Sequence, residues 1–173
     1  MNEQEISGVV QAVLEGMKNT GSAHGAGHVS TCKKHKMTLE KANALIEKVK
    51  AKASEMGVRA VVAVADQAGR PVSVQSMDGA YIASFDIALN KSFTSASLNM
   101  STEALSHLSQ PGQPLYGIQF TNDGKIVIFG GGEVLEAEGK MIGALGVSGG
   151  TAKQDTELAA YGREVFKEVI ACL

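Results

Sequence analysis

Apolar residues recur along this chain with two periods, and the stretches that carry them alternate. From Thr38 to Gly57 the spacing is helical, with Leu39, Ala42, Leu45, Ile46, Val49, Ala53 and Met56 on one face. Thr38 is placed to cap that helix and Gly57 to end it. Residues 59–65 (RAVVAVA) form a short β-branched run, which predicts a buried strand. Asp66, Gln67, Ala68 and Gly69 make a turn, and Pro71 opens a second strand through Met77, close enough to pair as a hairpin. Helical spacing returns over residues 84–99, where Phe85, Ala88, Leu89, Phe93 and Ala96 share a side. Ser101 is placed to cap a further short helix ending near Ser109. Gln110-Pro111-Gly112-Gln113-Pro114 reads as a surface loop. Three more strands are predicted at 125–129, 133–137 and 140–148, with turns at Asp123-Gly124 and Glu138-Gly139. The last element is a long helix opened by a Thr-x-x-Gln box at Thr151 and Gln154, with Leu158, Gly162, Val165, Phe166, Val169 and Ile170 on its apolar face. Strands joined by hairpins and separated by helices predict an α+β domain, an antiparallel sheet of about five strands flanked by helices.

The first 17 residues stand apart. Ile6, Val9, Val10, Val13, Leu14 and Met17 stack on one side of a helix, while Glu3, Glu5, Gln11 and Glu15 fall outside that set. So short an amphipathic helix is marginal alone in water and needs a surface to pack on. Residues 18–36 are rich in Gly, Ser, Thr, His and Lys and read as a flexible tether. The chain therefore divides into a docking helix (1–17), a linker (18–36) and a globular domain (37–173). The helix either docks elsewhere or packs on its own domain or on a second copy. MNEQEISGVVQAVLEGMKN resembles the encapsulation peptides of enzymes packed inside bacterial microcompartments. That resemblance implies shell or cargo proteins as partners, and a place in the bacterial cytoplasm within the microcompartment lumen.

Several classes are excluded. The acidic, interrupted N-terminus lacks the basic region and apolar core of a secretion signal, and no apolar run approaches membrane-spanning length. A formal charge of −2 and the absence of Trp argue against nucleic acid and against an anionic membrane surface. Two cysteines, Cys32 and Cys172, are reducing-compartment usage rather than a disulfide framework.

Candidate chemistry gathers at loop ends. Asp66, Asp78, Lys91 and the loop Gly130-Gly131-Gly132 are expected to line one cleft. Asp86 and Asn90 share a helix face beside Lys91. Lys91 is either a structural partner for a carbonyl or an Asp, or a desolvated nucleophile or base. Gly149-Gly150-Thr151 either offers helix amides to an anion or simply turns strand into helix, with Asp155 already charging that end. In the linker, His28, Cys32 and His35 could hold a metal or a haem, or could be solvated linker residues. His107 is expected to be partly buried, in the core or at an interface. Glu133 and Glu136 point to opposite faces of their strand, so one strand cannot chelate with both. No hydrolase elbow, dinucleotide fingerprint, Walker loop or zinc-protease motif occurs.

The segments VAVADQAGRPVSVQSMDGA, IALNKSFTSA, IFGGG and GALGVSGGTAKQDTELAAYG, in that order, resemble the GlcG/HbpS family, which includes the C-terminal domain of PduO. The resemblance implies a profilin-like α/β/α layer and a homo-oligomer that binds haem, with a corrinoid or a flavin-like ligand as the other cofactors it allows. Two positions depart from the family pattern. Ser76 stands where the family has Arg, and Glu133-Val134 where it has Val-Pro, which takes a cation from the expected pocket and makes its rim more acidic. Three functions follow as expectations. One is a microcompartment-associated accessory protein that binds haem or a related ligand. Another is an enzyme using Lys91 and Asp78 on a small hydroxy acid or aldehyde. The third is an oligomeric adaptor that gathers docking helices for avidity.

Overall fold

The computed structural model describes residues 36–172. The predicted docking helix, and the linker through His35, lie outside the described residues.

Helix α1 (Leu39–Glu55) begins where Thr38 Oγ1 accepts the amide of Lys41, and it ends at Met56 ahead of Gly57 at φ +69°. Its inner face carries Ala42, Leu45, Ile46, Val49 and Ala53, while Leu39 is exposed. Strands β1 (Val61–Asp66) and β2 (Pro71–Ser76) form the expected hairpin. Helix α2 (Ser84–Leu98) and the short helix α3 (Thr102–Leu108) follow, then 3₁₀ turns at Ile118–Phe120 and Asn122–Gly124. Strands β3 (Gly132–Ala137) and β4 (Lys140–Ser148) and helix α4 (Ala152–Cys172) complete the described chain. Thr151 and Gln154 form the reciprocal cap of α4: Gln154 N donates to Thr151 Oγ1 at 3.2 Å and Thr151 N to Gln154 Oε1 at 3.0 Å.

The sheet is antiparallel, in the order β2-β1-β4-β3. Alternation along each strand sorts its side chains between two layers. Val62, Val64, Leu135, Leu145 and Val147 face α1 and α4, where Leu158, Phe166 and Val169 fill the main core. Burying a Leu, Val or Phe side chain in this way stabilises the fold by roughly 1.5–3 kcal/mol each. Val61 and Ala63 face α2 and meet Ala88. This second layer is thin because β4 carries Gly146, where a Cβ would collide with the Ala88 carbonyl and stand 2.6 Å from the Ser92 amide.

The sheet has four strands rather than five. Residues 125–129 are irregular, because Thr94 of α2 satisfies their backbone: its hydroxyl accepts the Val127 amide at 3.0 Å and reaches the Lys125 carbonyl at 3.3 Å. A side chain thus takes the place of a neighbouring strand. The expected inner face of α2 is also corrected. Phe85 is exposed, and the buried positions are mostly small or polar: Ser84, Ala88, Lys91, Ser92, Thr94, Ser95 and Ala96. Close approach to the glycine-bearing strand leaves no room for large side chains there.

Candidate functional site

Asp66 and Asp78 close opposite ends of one hairpin. Asp66 Oδ1 accepts the amides of Ala68 at 2.8 Å and Arg70 at 3.0 Å, holding the β1–β2 turn. Asp78 lies past Ser76, which pairs with Val61 at the other end of β1. A strand of that length holds them roughly 15–20 Å apart. The structure therefore does not bring these two carboxylates together.

Lys91 and Gly131 are brought together, in a packed interior. The Lys91 side chain is fully buried and its Nζ donates to the Val147 carbonyl at 2.8 Å and to Asp155 Oδ2 at 2.7 Å. Asp155 Oδ1 accepts the Gly150 amide at 2.9 Å. The carboxylate that meets Lys91 is thus Asp155 of α4, and the same carboxylate takes the helix-start amide that an external anion would need. Burial pulls the Lys91 pKa below the usual lysine value, and the Asp155 charge and hydrogen bond oppose that shift. Gly131, at φ +115°, permits the arrangement, because a Cβ there would stand 2.6 Å from Lys91 Nζ and 2.7 Å from the Val147 carbonyl. Gly130 abuts Thr156 and Glu103, and Gly132 abuts Ser95 and Thr102 while donating its amide to Thr102 Oγ1 at 2.8 Å.

An open groove of about 720 Å³ lies elsewhere, between the C-terminal half of α1 and the end of β2. Ala51, Val58 and Met77 give it apolar wall, Lys50 and Arg59 cations, and Glu47 and Asp78 carboxylates. Arg59 also borders a recess of about 440 Å³ with Tyr81 and Gly149, Gly150 and Thr151. Its guanidinium donates to the Asp78 carbonyl at 2.9 Å, which fixes it between the two spaces. The volume of the larger groove is in the range of small-molecule sites. Sequence reading missed Arg59 and Met77. A lone arginine directly before a buried β-branched run was the available signal.

At the β3 edge, Glu133 and Glu136 border a cleft of about 430 Å³ with Arg163, Glu164 and Lys167. Alternation along the strand leaves Glu133 only 8% exposed and Glu136 in solvent. Glu133 Oε2 accepts from Arg163 at 3.1 Å. Burial raises the Glu133 pKa, and Arg163 opposes the shift. His107 is not in the core of the domain: its side chain is 78% exposed in the single chain, with Glu103 at 3.9 Å. Its place on a seven-residue helix leaves it in water. Among the described residues no group of three His, Cys, Asp or Glu side chains is arranged to hold a metal ion, and no helix is long and apolar enough to cross a membrane. His28, Cys32 and His35 lie outside the described residues.

The architecture and these segments have close counterparts. A family model described as haem degrading protein HbpS-like matches residues 37–164. An uncharacterized 15.0 kDa protein of Citrobacter freundii, encoded in the dhaT–dhaS intergenic region, is 44% identical over 133 residues, which are 77% of this chain and 94% of that protein. The crystal structure of Klebsiella pneumoniae ORFY superposes with a TM-score of 0.75 at 38% identity, over 84% of this chain and 98% of that one. The crystal structure of a PduOC–haem complex superposes with a TM-score of 0.72 at 32% identity, over 75% of this chain and 94% of that one.

Proposed function

Because the chain belongs to the HbpS-like family, we propose that it is a haem-binding accessory protein of a bacterial microcompartment. The observation that carries the haem reading is the likeness to PduOC, a protein crystallised with haem. The open groove suits such a ligand. Val58, Ala51 and Met77 offer apolar wall, and Arg59 can pair with a porphyrin carboxylate, while the Lys50 ammonium is held by Glu47 at 2.7 Å and Gln75 at 2.6 Å. Asp78 borders this groove, whereas Lys91 and Gly130, Gly131 and Gly132 do not. The groove wall carries no histidine, and the Met77 sulfur already accepts the Ala60 amide at 3.4 Å. His28, Cys32 and His35 of the linker carry side chains that can ligate iron and form the alternative site to the groove.

Two further parts of the reading concern assembly. Residues 1–17 address the protein to shell or cargo through Ile6, Val9, Val10, Val13, Leu14 and Met17. The domain forms a homo-oligomer, supported by the exposed run of Tyr81, Ile82 and Phe85, an apolar surface of the kind that partners cover.

Haem titrated into the full-length protein, followed by its visible absorption band, tests the binding. Saturation near one haem per chain is expected. Arg59→Glu should weaken binding, whereas loss of the band on changing His28→Ala, Cys32→Ala and His35→Ala together, with Arg59→Glu without effect, would assign the haem to the linker. A Gly131→Val or Lys91→Ala protein that stays folded and loses binding would return the site to the interior cluster. No band at stoichiometric haem would overturn the haem reading.

A further inference from the structure

The recess beside Arg59 differs from the other two spaces in what lines it. The groove and the β3-edge cleft each set carboxylates against their cations. The recess, of about 440 Å³, is walled by three loops, and Arg59 is the one charged residue among the described residues that line it. Arg59 is held in place there. Its guanidinium donates to the Asp78 carbonyl at 2.9 Å and makes no ion pair among the described residues. Gly79, at φ +78°, makes room for the side chain, because a Cβ there would stand 3.1 Å from Arg59 Cδ and 3.2 Å from Nη1. The other polar side chains that the wall leaves unused are donors too. Gln154 Oε1 accepts the Thr151 amide at 3.0 Å and the Thr151 hydroxyl at 3.1 Å, which identifies the far end of that side-chain amide as its NH2 group. That NH2 group meets no acceptor among the described residues. The Tyr81 ring, 74% exposed, stands on the same wall. The amides at the start of α4 take no part, since those of Gly150 and Thr151 already end on Asp155 and Gln154.

We propose that this recess binds a compact organic carboxylate, held by Arg59 and Gln154 and laid against the Tyr81 ring. A guanidinium presents paired N–H bonds that match the two oxygens of a carboxylate, and such charge-assisted bonds are stronger than neutral ones. The Asp78 carbonyl orients the guanidinium without neutralising it. An arginine already fixed in place gives up little side-chain freedom when a ligand arrives. A cationic ligand would meet a like charge here and no carboxylate to offset it. The site needs neither iron nor a linker residue, so it stands apart from the haem reading. The carboxylate is a free small acid or, because Arg59 borders both spaces, a propionate of haem seated in the adjoining groove. Only the second source rests on the proposed haem binding.

Benzoate titrated into the full-length protein, followed by calorimetry, tests the site. Saturation near one benzoate per chain is expected, and benzamide, which has the ring without the charge, should not bind. Arg59→Gln should abolish binding. Gln154→Glu should weaken it by about tenfold, the scale of one lost hydrogen bond to a charged group. A glutamate still accepts the Thr151 amide, so the cap of α4 survives while a negative oxygen replaces the NH2 group. A second titration compares haem with its dimethyl ester, whose propionates are masked. Tighter binding of haem than of the ester, with the difference lost in Gln154→Glu, assigns the recess to a propionate. Benzoate binding without that difference assigns it to a free acid. Benzoate binding that survives both substitutions would overturn the proposal. So would no benzoate binding combined with equal affinities for haem and its ester, a result that leaves the haem reading standing. If haem does not bind at all, the haem reading falls and the benzoate titration alone decides the recess.

Discussion

Lys91 on α2 and Asp155 on α4 meet at 2.7 Å through the sheet's end, with side chains 0% and 4% exposed. They lie 64 residues apart in sequence and tie together the two helices that sandwich β4. Removing one partner strands the other charge in the interior, which costs about 3–5 kcal/mol, whereas replacing both with apolar residues of similar volume is often near neutral. Asp155→Asn and Lys91→Met should each lower stability by that amount in urea denaturation. The double change Lys91→Met/Asp155→Leu should cost far less than the sum. Two single changes that each cost under about 1 kcal/mol would show that the pair is not desolvated.

Glu133 gives the fold a pH dependence of opposite sign to that of a typical salt-bridged carboxylate. Burial raises its pKa in the folded state. The native protein therefore binds more protons than the unfolded chain at pH values between the two pKa values, and stability falls as pH rises through that window. The contribution is fully present below the unfolded value near 4.3 and is lost once pH passes the raised folded value. Glu133→Gln should flatten this part of the stability profile between pH 4 and 7, measured by thermal melts. An unchanged slope would place the dependence on another group.

The main core draws on residues from Met37 to Val169. A chain beginning at Met37 should therefore melt cooperatively, close to the full-length protein. The Lys41 ammonium would lose the Lys36 carbonyl, now 3.2 Å away, a minor change at the edge of α1. Light scattering on the same protein tests whether the domain alone assembles, and a monomer at micromolar concentration would remove the homo-oligomer from the proposed function. Loss of cooperative melting would place residues 1–36 in the core.

Fusing residues 1–36 to a fluorescent protein, co-expressed with microcompartment shells, tests the address. Punctate fluorescence is expected, and Val10→Glu or Leu14→Glu should disperse it by placing a charge in the apolar stripe. Diffuse fluorescence from the unaltered fusion would end the targeting proposal.

What the sequence revealed was mostly local. Thr38, Ser101 and the Thr151–Gln154 box were readable as caps because their partners lie three residues away. The β1–β2 and β3–β4 hairpins followed from short turns between apolar runs. The irregular segment at 125–129 was hidden because its backbone partner, Thr94, comes from a helix about thirty residues earlier. Of the candidate cluster, Lys91 and Gly131 were found but their companion Asp155 was read only as a charge at a helix start. Asp66 and Asp78 were grouped although a strand separates them. Both cases depend on sheet register, which local pattern does not encode.

The two faces of the sheet are held apart by different materials. Toward α1 and α4 the spacer is a layer of Leu, Val and Phe side chains, whose volumes can be traded among neighbours. Toward α2, at Gly146 and Ala88, main chain rests on main chain, and there is nothing left to shrink. Substitution can therefore slide or tilt the first layer over evolutionary time, while the α2–β4 crossing behaves as a fixed datum. Superposing homologues on α2 and β4 alone should leave the scatter in α1 and α4, and a shape change transmitted across this domain should pivot about that crossing rather than pass through it.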